Sequence, residues 1–148
     1  MNALLRIPYE LTWRVANNIA PFMPPVPNKV VRSLRSRVNL LANIDAWAGA
    51  HRDLSRPLLW MHASSVGESL QALPVLNLFR ERHHELQMVF TFYSPSAETT
   101  AKKFPVDFVS YLPFDTTASM RHLIESLRPS ALVFSKLDVW PTLVAEAG

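Results

Sequence analysis

The stretch of sequence that decides the fold runs from Leu58 to Glu68 and reads Leu-Leu-Trp-Met-His-Ala-Ser-Ser-Val-Gly-Glu. Its apolar first half predicts a buried strand, and the serines, glycine and glutamate that follow predict the start of a helix. In an open α/β fold such a junction lies at the carboxyl edge of the parallel sheet, where ligands bind. The stretch therefore predicts a carboxylate, Glu68, at the ligand-binding edge.

Strand and helix patterns alternate along the rest of the chain. The predicted strands are 58–62, 86–93, 106–112 and 131–134, and the predicted helices are 68–82, 95–103, 116–127 and 140–147. Strands that alternate with helices of this length form βαβ units with right-handed crossovers. The predicted fold class is α/β, a Rossmann-like parallel sheet with helices on both faces. Because the last helical pattern runs to the end of the sequence, we expect the chain to be part of a longer protein.

The first 56 residues differ from the rest in charge. Residues 1–56 hold eight Lys or Arg against three Asp or Glu, a net +5, whereas residues 57–148 hold seven against nine, a net −2. We therefore divide the chain into a basic helical segment, 1–56, and a Rossmann-like domain, 57–148. The basic segment is expected to meet an anionic partner, such as lipid head groups, lipid phosphates or nucleic acid, unless it is a solvated helix face.

Within the basic segment, the spacing of apolar residues predicts helices at 9–19 and 28–47, with a stiff, extended proline-rich connector at 21–27. The first helix is amphipathic and suits either a membrane interface or packing on the domain itself. No stretch reaches the roughly 20 consecutive apolar residues of a transmembrane helix, and no signal peptide is visible.

The composition excludes several classes of site. The three glycines cannot form a Gly-rich dinucleotide or Walker loop, the five histidines lack metal-binding spacing, and no cysteine is present for thiolate chemistry. No serine lies in a Gly-x-Ser-x-Gly elbow, so a hydrolase triad is unsupported. The basic residues precede the sheet and no aromatic, basic platform accompanies them, so we expect no nucleic-acid partner.

The run Ser65-Val66-Gly67-Glu68 supports two interpretations. It matches the capping box, in which a serine and a glutamate satisfy free amides at a helix start. It also suits a general base, because a helix start favours the ionised carboxylate. Gly67 would let a substrate approach the backbone, and the first amides of the helix would hold an anion. The residue pattern alone leaves both interpretations open.

Polar residues also follow the second and third predicted strands. Ser94 and Ser96 either cap the next helix or bind a polar ligand. Asp115 is expected to cap the helix that begins at Thr116, because an aspartate before a helical pattern is a usual start signal.

The fourth strand is followed by Lys136, which either binds a phosphate or carboxylate as a point charge or pairs with Asp138. Trp140 and Pro141 predict core packing and a helix start. His62 lies within the first strand, and we expect its ring to be hydrogen-bonded inside the fold and not to act as a base.

Four motifs resemble the N-terminal domain of Kdo (3-deoxy-D-manno-octulosonic acid) transferases. The specific ones are Ser-Ser-Val-Gly-Glu at 64–68 and Val-Trp-Pro at 139–141, and the hydroxyl-rich stretch at 91–98 and Tyr-Leu-Pro-Phe-Asp at 111–115 accompany them. The resemblance extends from about residue 9 to residue 147. Ala97 stands where the family usually has glycine, and Lys136 stands where many members have glutamate.

The resemblance implies one half of a GT-B glycosyltransferase, whose N-terminal domain holds a lipid acceptor and whose C-terminal domain holds CMP-Kdo. The implied reaction transfers Kdo from CMP-Kdo to a hydroxyl of a lipid A precursor in lipopolysaccharide biosynthesis, with inversion and without a metal or other cofactor. Glu68 would be the catalytic base. The residues implied in substrate binding are Ser64, Ser65, Gly67, Ser94, Ser96, Lys136 and Asp138.

The resemblance also implies a peripheral protein on the cytoplasmic face of the inner membrane, with its basic helices on the anionic surface. Residues 1–148 alone are expected to be inactive, because the donor half is absent. Two alternatives remain: a non-catalytic Rossmann-like binding module in which Glu68 only caps a helix, and a GT-B transferase for another sugar.

Overall fold

The computed structural model of the chain describes residues 3–136 and 139–148. The helices are α1 (Ala3–Ile19), α2 (Lys29–Arg35), α3 (Leu40–His51), α4 (Val66–Arg82), α5 (Glu98–Ala101), α6 (Thr117–Leu127) and α7 (Pro141–Ala147). The strands are β1 (Leu58–Ala63), β2 (Gln87–Phe92), β3 (Phe108–Tyr111) and β4 (Ala131–Phe134), and short 3-10 helices occupy Ala20–Phe22 and Pro95–Ala97.

The four strands form one sheet in the order β3-β2-β1-β4, and every pairing is parallel. The central strands β1 and β2 are buried along their whole length, which explains why their sequences are mostly apolar. The edge strand β4 instead alternates between exposed and half-buried residues. The predicted α/β class with a Rossmann-like parallel sheet is confirmed.

Helices cover the sheet on both faces. Helix α4 connects β1 to β2, and α5 lies in the connection from β2 to β3. The two helices pack against each other, and α4 also packs on β1 and α5 on β2. The chain then returns across the sheet through α6 to β4, and α6 packs with α3 and α7. Parallel crossovers are right-handed as a rule, and the direction of travel across the sheet reverses after β3. This rule places α4 and α5 on one face and α6 on the other. The core between the layers includes Trp60, Phe90, Leu76 and Leu123, all fully buried.

The predicted helix at 28–47 is wrong as a single element, because it breaks into α2 and α3. Asn39 lies between them in the left-handed conformation, with φ of 59°, which asparagine tolerates better than most residues. The turn that precedes it points the side chain of Arg37 into the protein, where it is 4% exposed. Asn28 begins α2 as expected, since its side chain accepts the N–H groups of Val30 and Val31.

Three other boundaries differ from the sequence prediction. Helix α1 begins at Ala3 and continues through Pro8, whereas the pattern predicted a start at residue 9. The proline-rich connector opens with the 3-10 helix at Ala20–Phe22 and is extended only beyond it. The predicted helix at 95–103 is a 3-10 turn followed by the four-residue α5.

Candidate functional site

Glu68 lies three residues into α4, directly beyond the carboxyl end of β1. Its Oε2 atom accepts the backbone N–H of Ser65 at 3.0 Å and the Ser65 hydroxyl at 3.2 Å, and the two residues form the predicted capping box. From the described residues, no hydrogen bond reaches Oε1. One carboxylate oxygen therefore caps the helix while the other remains open, so the capping interpretation is confirmed without excluding a base.

Ser135, which follows β4, holds the junction between β1 and α4 in place through two hydrogen bonds. Its hydroxyl donates to the carbonyl oxygen of Glu68 at 2.8 Å, and its backbone N–H donates to the carbonyl oxygen of His62 at 2.9 Å. The two contacts hold the first turn of α4 against β4 and thereby fix the position of Glu68. Sequence reasoning missed Ser135, whose only signal was a serine immediately after a predicted strand.

His62 is buried beneath the site, as predicted. The indole N–H of Trp140 donates to its Nε2 at 3.0 Å, and its Nδ1 lies 2.9 Å from the hydroxyl of Thr91. Because an indole nitrogen can only donate, Nε2 is an acceptor and the ring proton is on Nδ1. The ring therefore links β1, β2 and the start of α7, and it supports the predicted packing role of Trp140.

The carboxyl ends of β1 and β2 are joined by the backbone N–H of Ser94, which donates to the carbonyl oxygen of Ser64 at 2.8 Å. The Ser94 hydroxyl accepts the N–H of Ser96 at 3.4 Å and the Ser96 hydroxyl at 3.0 Å, so Ser94 caps the 3-10 turn. The capping interpretation of these serines is confirmed, and their binding role stays a prediction. Ala97 is fully buried, with its methyl group in the core.

Gly67 and Lys136 lie on the exposed side of the same edge. A Cβ atom built on Gly67 would meet nothing within 4 Å, so packing inside the domain does not require glycine there. Lys136 follows β4, is exposed, and makes no ion pair with any residue that the structure describes. Asp138 lies outside the described residues, and so does the predicted Lys136–Asp138 pair.

The prediction that Asp115 caps α6 is wrong. The cap of α6 is Thr116, whose hydroxyl oxygen accepts the N–H of Ser119 at 3.2 Å. The buried Asp115 carboxylate instead accepts the N–H groups of Thr142 and Leu143, at 3.0 and 2.9 Å. Asp115 therefore caps α7. The free N–H groups at the start of α7 lie within reach of its carboxylate, although α6 is the helix that follows Asp115 in the sequence.

Helix α1 packs on the carboxyl edge through aromatic side chains, as the second of the two alternatives for this helix predicted. Trp13 contacts Tyr93, Phe114 and Trp140 at ring-centroid distances of 5.9 to 6.1 Å, and Tyr93 stacks on Trp140 at 4.5 Å. Helix α1 is thus held directly above the end of the sheet.

Tyr9 adds a polar contact to this packing. Its hydroxyl donates to Asp115 at 2.7 Å, and burial together with this hydrogen bond raises the pKa of Tyr9 well above its usual value. The contact connects α1 to the same carboxylate that caps α7.

Arg37 is a second residue that sequence reasoning missed. Its guanidinium donates to the carbonyl oxygens of Leu112 and Tyr93, each at 2.9 Å, and to the Ser33 hydroxyl at 2.9 Å. It also lies 4.0 Å from the ring centroid of Tyr93. Burial lowers the pKa of Arg37 to about 10. These contacts fasten the end of α2 to the carboxyl ends of β2 and β3.

Within residues 3–136 and 139–148, no group of three or more His, Cys, Asp or Glu side chains is arranged to hold a metal ion. In the same ranges, no helix has the length and apolar character needed to cross a bilayer.

The all-parallel sheet with flanking helices defines a Rossmann-like α/β domain, and Glu68 lies at the carboxyl edge of its sheet. Residues 32–148 match the model of the family described as 3-deoxy-D-manno-octulosonic-acid transferase (kdotransferase). The chain belongs to this family.

Individual relatives carry the same name. The chain is 32% identical over 94 residues to the 3-deoxy-D-manno-octulosonic acid transferase of Chlamydophila psittaci, covering 62% of this chain and 22% of that protein. The Rickettsia felis protein of that name is 29% identical over 94 residues, 62% of this chain and 20% of its own length. A probable mitochondrial counterpart from Arabidopsis thaliana is 29% identical over 102 residues, 66% and 23% of the two chains. The matched region is therefore about a fifth of these relatives.

Proposed function

We propose that this chain is the acceptor-binding domain of a glycosyltransferase that moves Kdo from CMP-Kdo to a hydroxyl of a lipid A precursor in lipopolysaccharide biosynthesis. The observation that carries the proposal is the divided role of the Glu68 carboxylate. Oε2 is engaged by Ser65, while Oε1 accepts no hydrogen bond from the described residues. Glu68 is the last residue of the Ser-Val-Gly-Glu motif, in a chain that belongs to the Kdo transferase family.

In the proposed reaction, Oε1 of Glu68 accepts the proton of the acceptor hydroxyl as the hydroxyl oxygen attacks the anomeric carbon of Kdo. A new glycosidic bond forms, the bond from Kdo to the CMP phosphate breaks, and CMP leaves with the electron pair. The hydrogen bonds from Ser65 hold the carboxylate in one orientation, so that little reordering precedes proton transfer.

The acceptor is proposed to lie along the carboxyl edge. The open position of Gly67 supports close approach of a substrate to the backbone. Lys136, exposed and without an ion pair among the described residues, is proposed to meet an acceptor or product charge. The remaining proposed substrate contacts are Ser64, Ser65, Ser94, Ser96 and Asp138. No cofactor or metal is proposed, and CMP-Kdo is assigned chiefly to a C-terminal domain.

Association with an anionic membrane surface is a second part of the proposal. Exposed apolar residues recur every four positions along α1, at Ile7, Leu11, Val15 and Ile19, and Phe22 beyond it is 86% exposed. Since Tyr9 and Trp13 pack the opposite side of α1 on the domain, this stripe faces outward. A helix with one packed side and one exposed apolar side suits an interfacial, peripheral position on the cytoplasmic face of the inner membrane.

A transfer assay on the full-length protein tests the proposal. We expect it to convert CMP-Kdo and a lipid A precursor to a Kdo-modified lipid, and residues 1–148 alone to form none. Transfer from another CMP-sugar in preference to CMP-Kdo would indicate a transferase for a different sugar. If no donor is used, the non-catalytic binding module replaces the proposal.

A further inference from the structure

A basic recess opens beside the proposed acceptor edge. Its volume is about 890 Å³, and it lies between α2 with the preceding connector and the 3-10 turn that follows β2. Three cationic side chains and two hydroxyls line it, accompanied by apolar residues of the connector. The charged and hydroxyl-bearing lining residues are Lys29, Arg32, Arg35, Ser36 and Ser96.

The recess keeps a positive charge after its local ion pair is counted. None of the lining residues is acidic. Arg32 contacts Glu98 at 2.8 Å, but that carboxylate is shared with Lys102 at 2.9 Å and with the hydroxyl of Tyr111 at 3.0 Å. One carboxylate thus serves two cations, and neither Lys29 nor Arg35 makes an ion pair within the described part of the chain. A multiply charged anion is the ligand that such a surface attracts.

Arg35 is already oriented for binding. Its Nη1 donates to the carbonyl oxygen of Met23, which ties the guanidinium to the connector. A guanidinium held in this way loses less freedom on binding, and its planar fork matches phosphate oxygens. The hydroxyls of Ser36 and Ser96 lie on the same lining and can donate further hydrogen bonds.

The recess and the proposed base lie at the ends of neighbouring strands. Ser96 belongs to the turn after β2, and the backbone hydrogen bond from Ser94 to Ser64 joins this turn to the strand that ends before Glu68. Neighbouring strands are about 4.8 Å apart, so the end of β2 is one strand from that of β1. A molecule lying along the edge can therefore reach the recess and Glu68 together, with Lys136 on the far side at β4.

We propose that the recess binds a phosphate monoester on the saccharide head group of the acceptor glycolipid, held by Lys29, Arg32 and Arg35. The inference rests on the proposed function, because it assigns one end of the acceptor whose hydroxyl meets Glu68. The connector residue Val26, on the same lining, is 44% exposed and supplies an apolar contact beside the phosphate.

Equilibrium binding tests this site without requiring transfer. The full-length protein is titrated with phosphatidylcholine vesicles that contain a bisphosphorylated tetraacyl glucosamine disaccharide, or the same lipid after phosphatase treatment. The test variant is Lys29→Gln with Arg32→Gln. Its matched control is Arg82→Gln with Lys103→Gln, which removes the same charge from exposed positions outside the recess.

We expect the wild type to prefer the phosphorylated lipid. The test variant should bind it about tenfold more weakly or worse, while the control should stay within about twofold of wild type. Equal losses of affinity in the two variants would contradict a phosphate site in the recess. Wild-type binding that is unchanged by phosphatase treatment of the lipid would contradict it as well.

Two further arms separate the sources of phosphate. Vesicles that carry phosphatidic acid in place of the disaccharide, at the same phosphate concentration, should bind the wild type more weakly. If they bind it equally well, and the test variant loses the same affinity for them, the recess binds bulk membrane lipid and not the acceptor. Inorganic phosphate should compete for the recess, and it should compete less in the test variant. If transfer fails while phosphate-dependent binding persists, the proposed function is wrong and the recess stands.

Discussion

The indole N–H of Trp140 donates to Nε2 of His62 at 3.0 Å and so joins the start of α7 to the buried strand β1. Trp140 also stacks on Tyr93 and contacts Trp13, so the same ring connects β1, β2 and α1. The aromatic cluster beneath the proposed site, which we call the platform, therefore joins residues more than 120 positions apart in the chain. Its members are Trp13, His62, Tyr93 and Trp140.

Replacing Trp140 by phenylalanine should test that platform. Trp140→Phe keeps an aromatic ring but removes the donor, and the loss of a buried hydrogen bond should lower the free energy of unfolding by about 1 to 2 kcal/mol. Urea denaturation measures the change. Trp47→Phe is a suitable control, since Trp47 stacks on Phe108 away from His62. An unfolding free energy for Trp140→Phe equal to that of the wild type would contradict the role of the hydrogen bond.

Asp115 should protect the amides of α7 and not those of α6. Asp115→Asn removes the charge and one of the two oxygens that accept the N–H groups of Thr142 and Leu143, so hydrogen exchange at these amides should accelerate. Thr116→Ala is the matched control and should accelerate exchange at Ser119. Faster exchange at Ser119 in Asp115→Asn, with Thr142 unchanged, would restore the local capping interpretation.

Gly67→Ala separates stability from substrate approach. Because the added methyl group meets nothing within 4 Å and the residue is helical, the substitution should leave the stability unchanged or raise it by about 0.5 to 1 kcal/mol. In the full-length protein it should nevertheless raise the KM for the acceptor. Thermal unfolding and transfer kinetics measure the two effects. Unchanged kinetics would mean that no substrate approaches this position.

Acid should weaken the contacts of Glu98. The hydrogen bond from Lys102, with those from Arg32 and Tyr111, lowers the pKa of Glu98 to about 2. Because the pKa of Glu98 is lower in the folded protein than its value of 4.5 in the unfolded chain, the ionised carboxylate stabilises the fold fully at pH values above 4.5. This contribution is lost as the pH falls towards 2. Glu98→Gln should therefore flatten the pH dependence of unfolding in that window. The exposed Glu125→Gln serves as control, and identical slopes for both variants would contradict the prediction.

The exposed stripe on α1 should be needed for membrane binding and not for folding. Leu11→Gln with Val15→Gln should weaken binding to anionic vesicles about tenfold or more, because two apolar side chains no longer enter the interface. The thermal midpoint should hold, as both side chains are at least half exposed. Val75→Gln with Val144→Gln removes similarly exposed apolar surface elsewhere. Equal vesicle binding by the two double variants would contradict a membrane role for α1.

Short-range patterns predicted much of this domain. Strand β4 lies at 131–134 as expected, and the other strands agree to within two residues, since apolar runs bounded by turn residues are local signals. The capping box at Ser65 and Glu68 is likewise encoded within four residues. These features could be predicted because each depends on neighbours in the sequence.

The features that sequence reasoning missed depend on distant partners. Arg37 is buried because it meets carbonyl groups 56 and 75 positions away, and Asp115 caps a helix 27 positions ahead. Nothing in the spacing around either residue reveals these partners. The break at Asn39 was missed because the apolar period continues across it, whereas Asn39 takes a left-handed conformation that ends the helical run.

Glu68→Gln in the full-length protein tests most directly whether Glu68 is both a cap and a base. Glutamine retains an oxygen that can accept the Ser65 N–H but cannot take a proton. We predict that Kdo transfer to a lipid A precursor falls by about a hundredfold or more while the thermal midpoint holds. Glu125→Gln, which makes the same substitution at an exposed helical position outside the proposed site, should keep the activity. Wild-type rates in Glu68→Gln would contradict the account, because Glu68 would then be a cap alone.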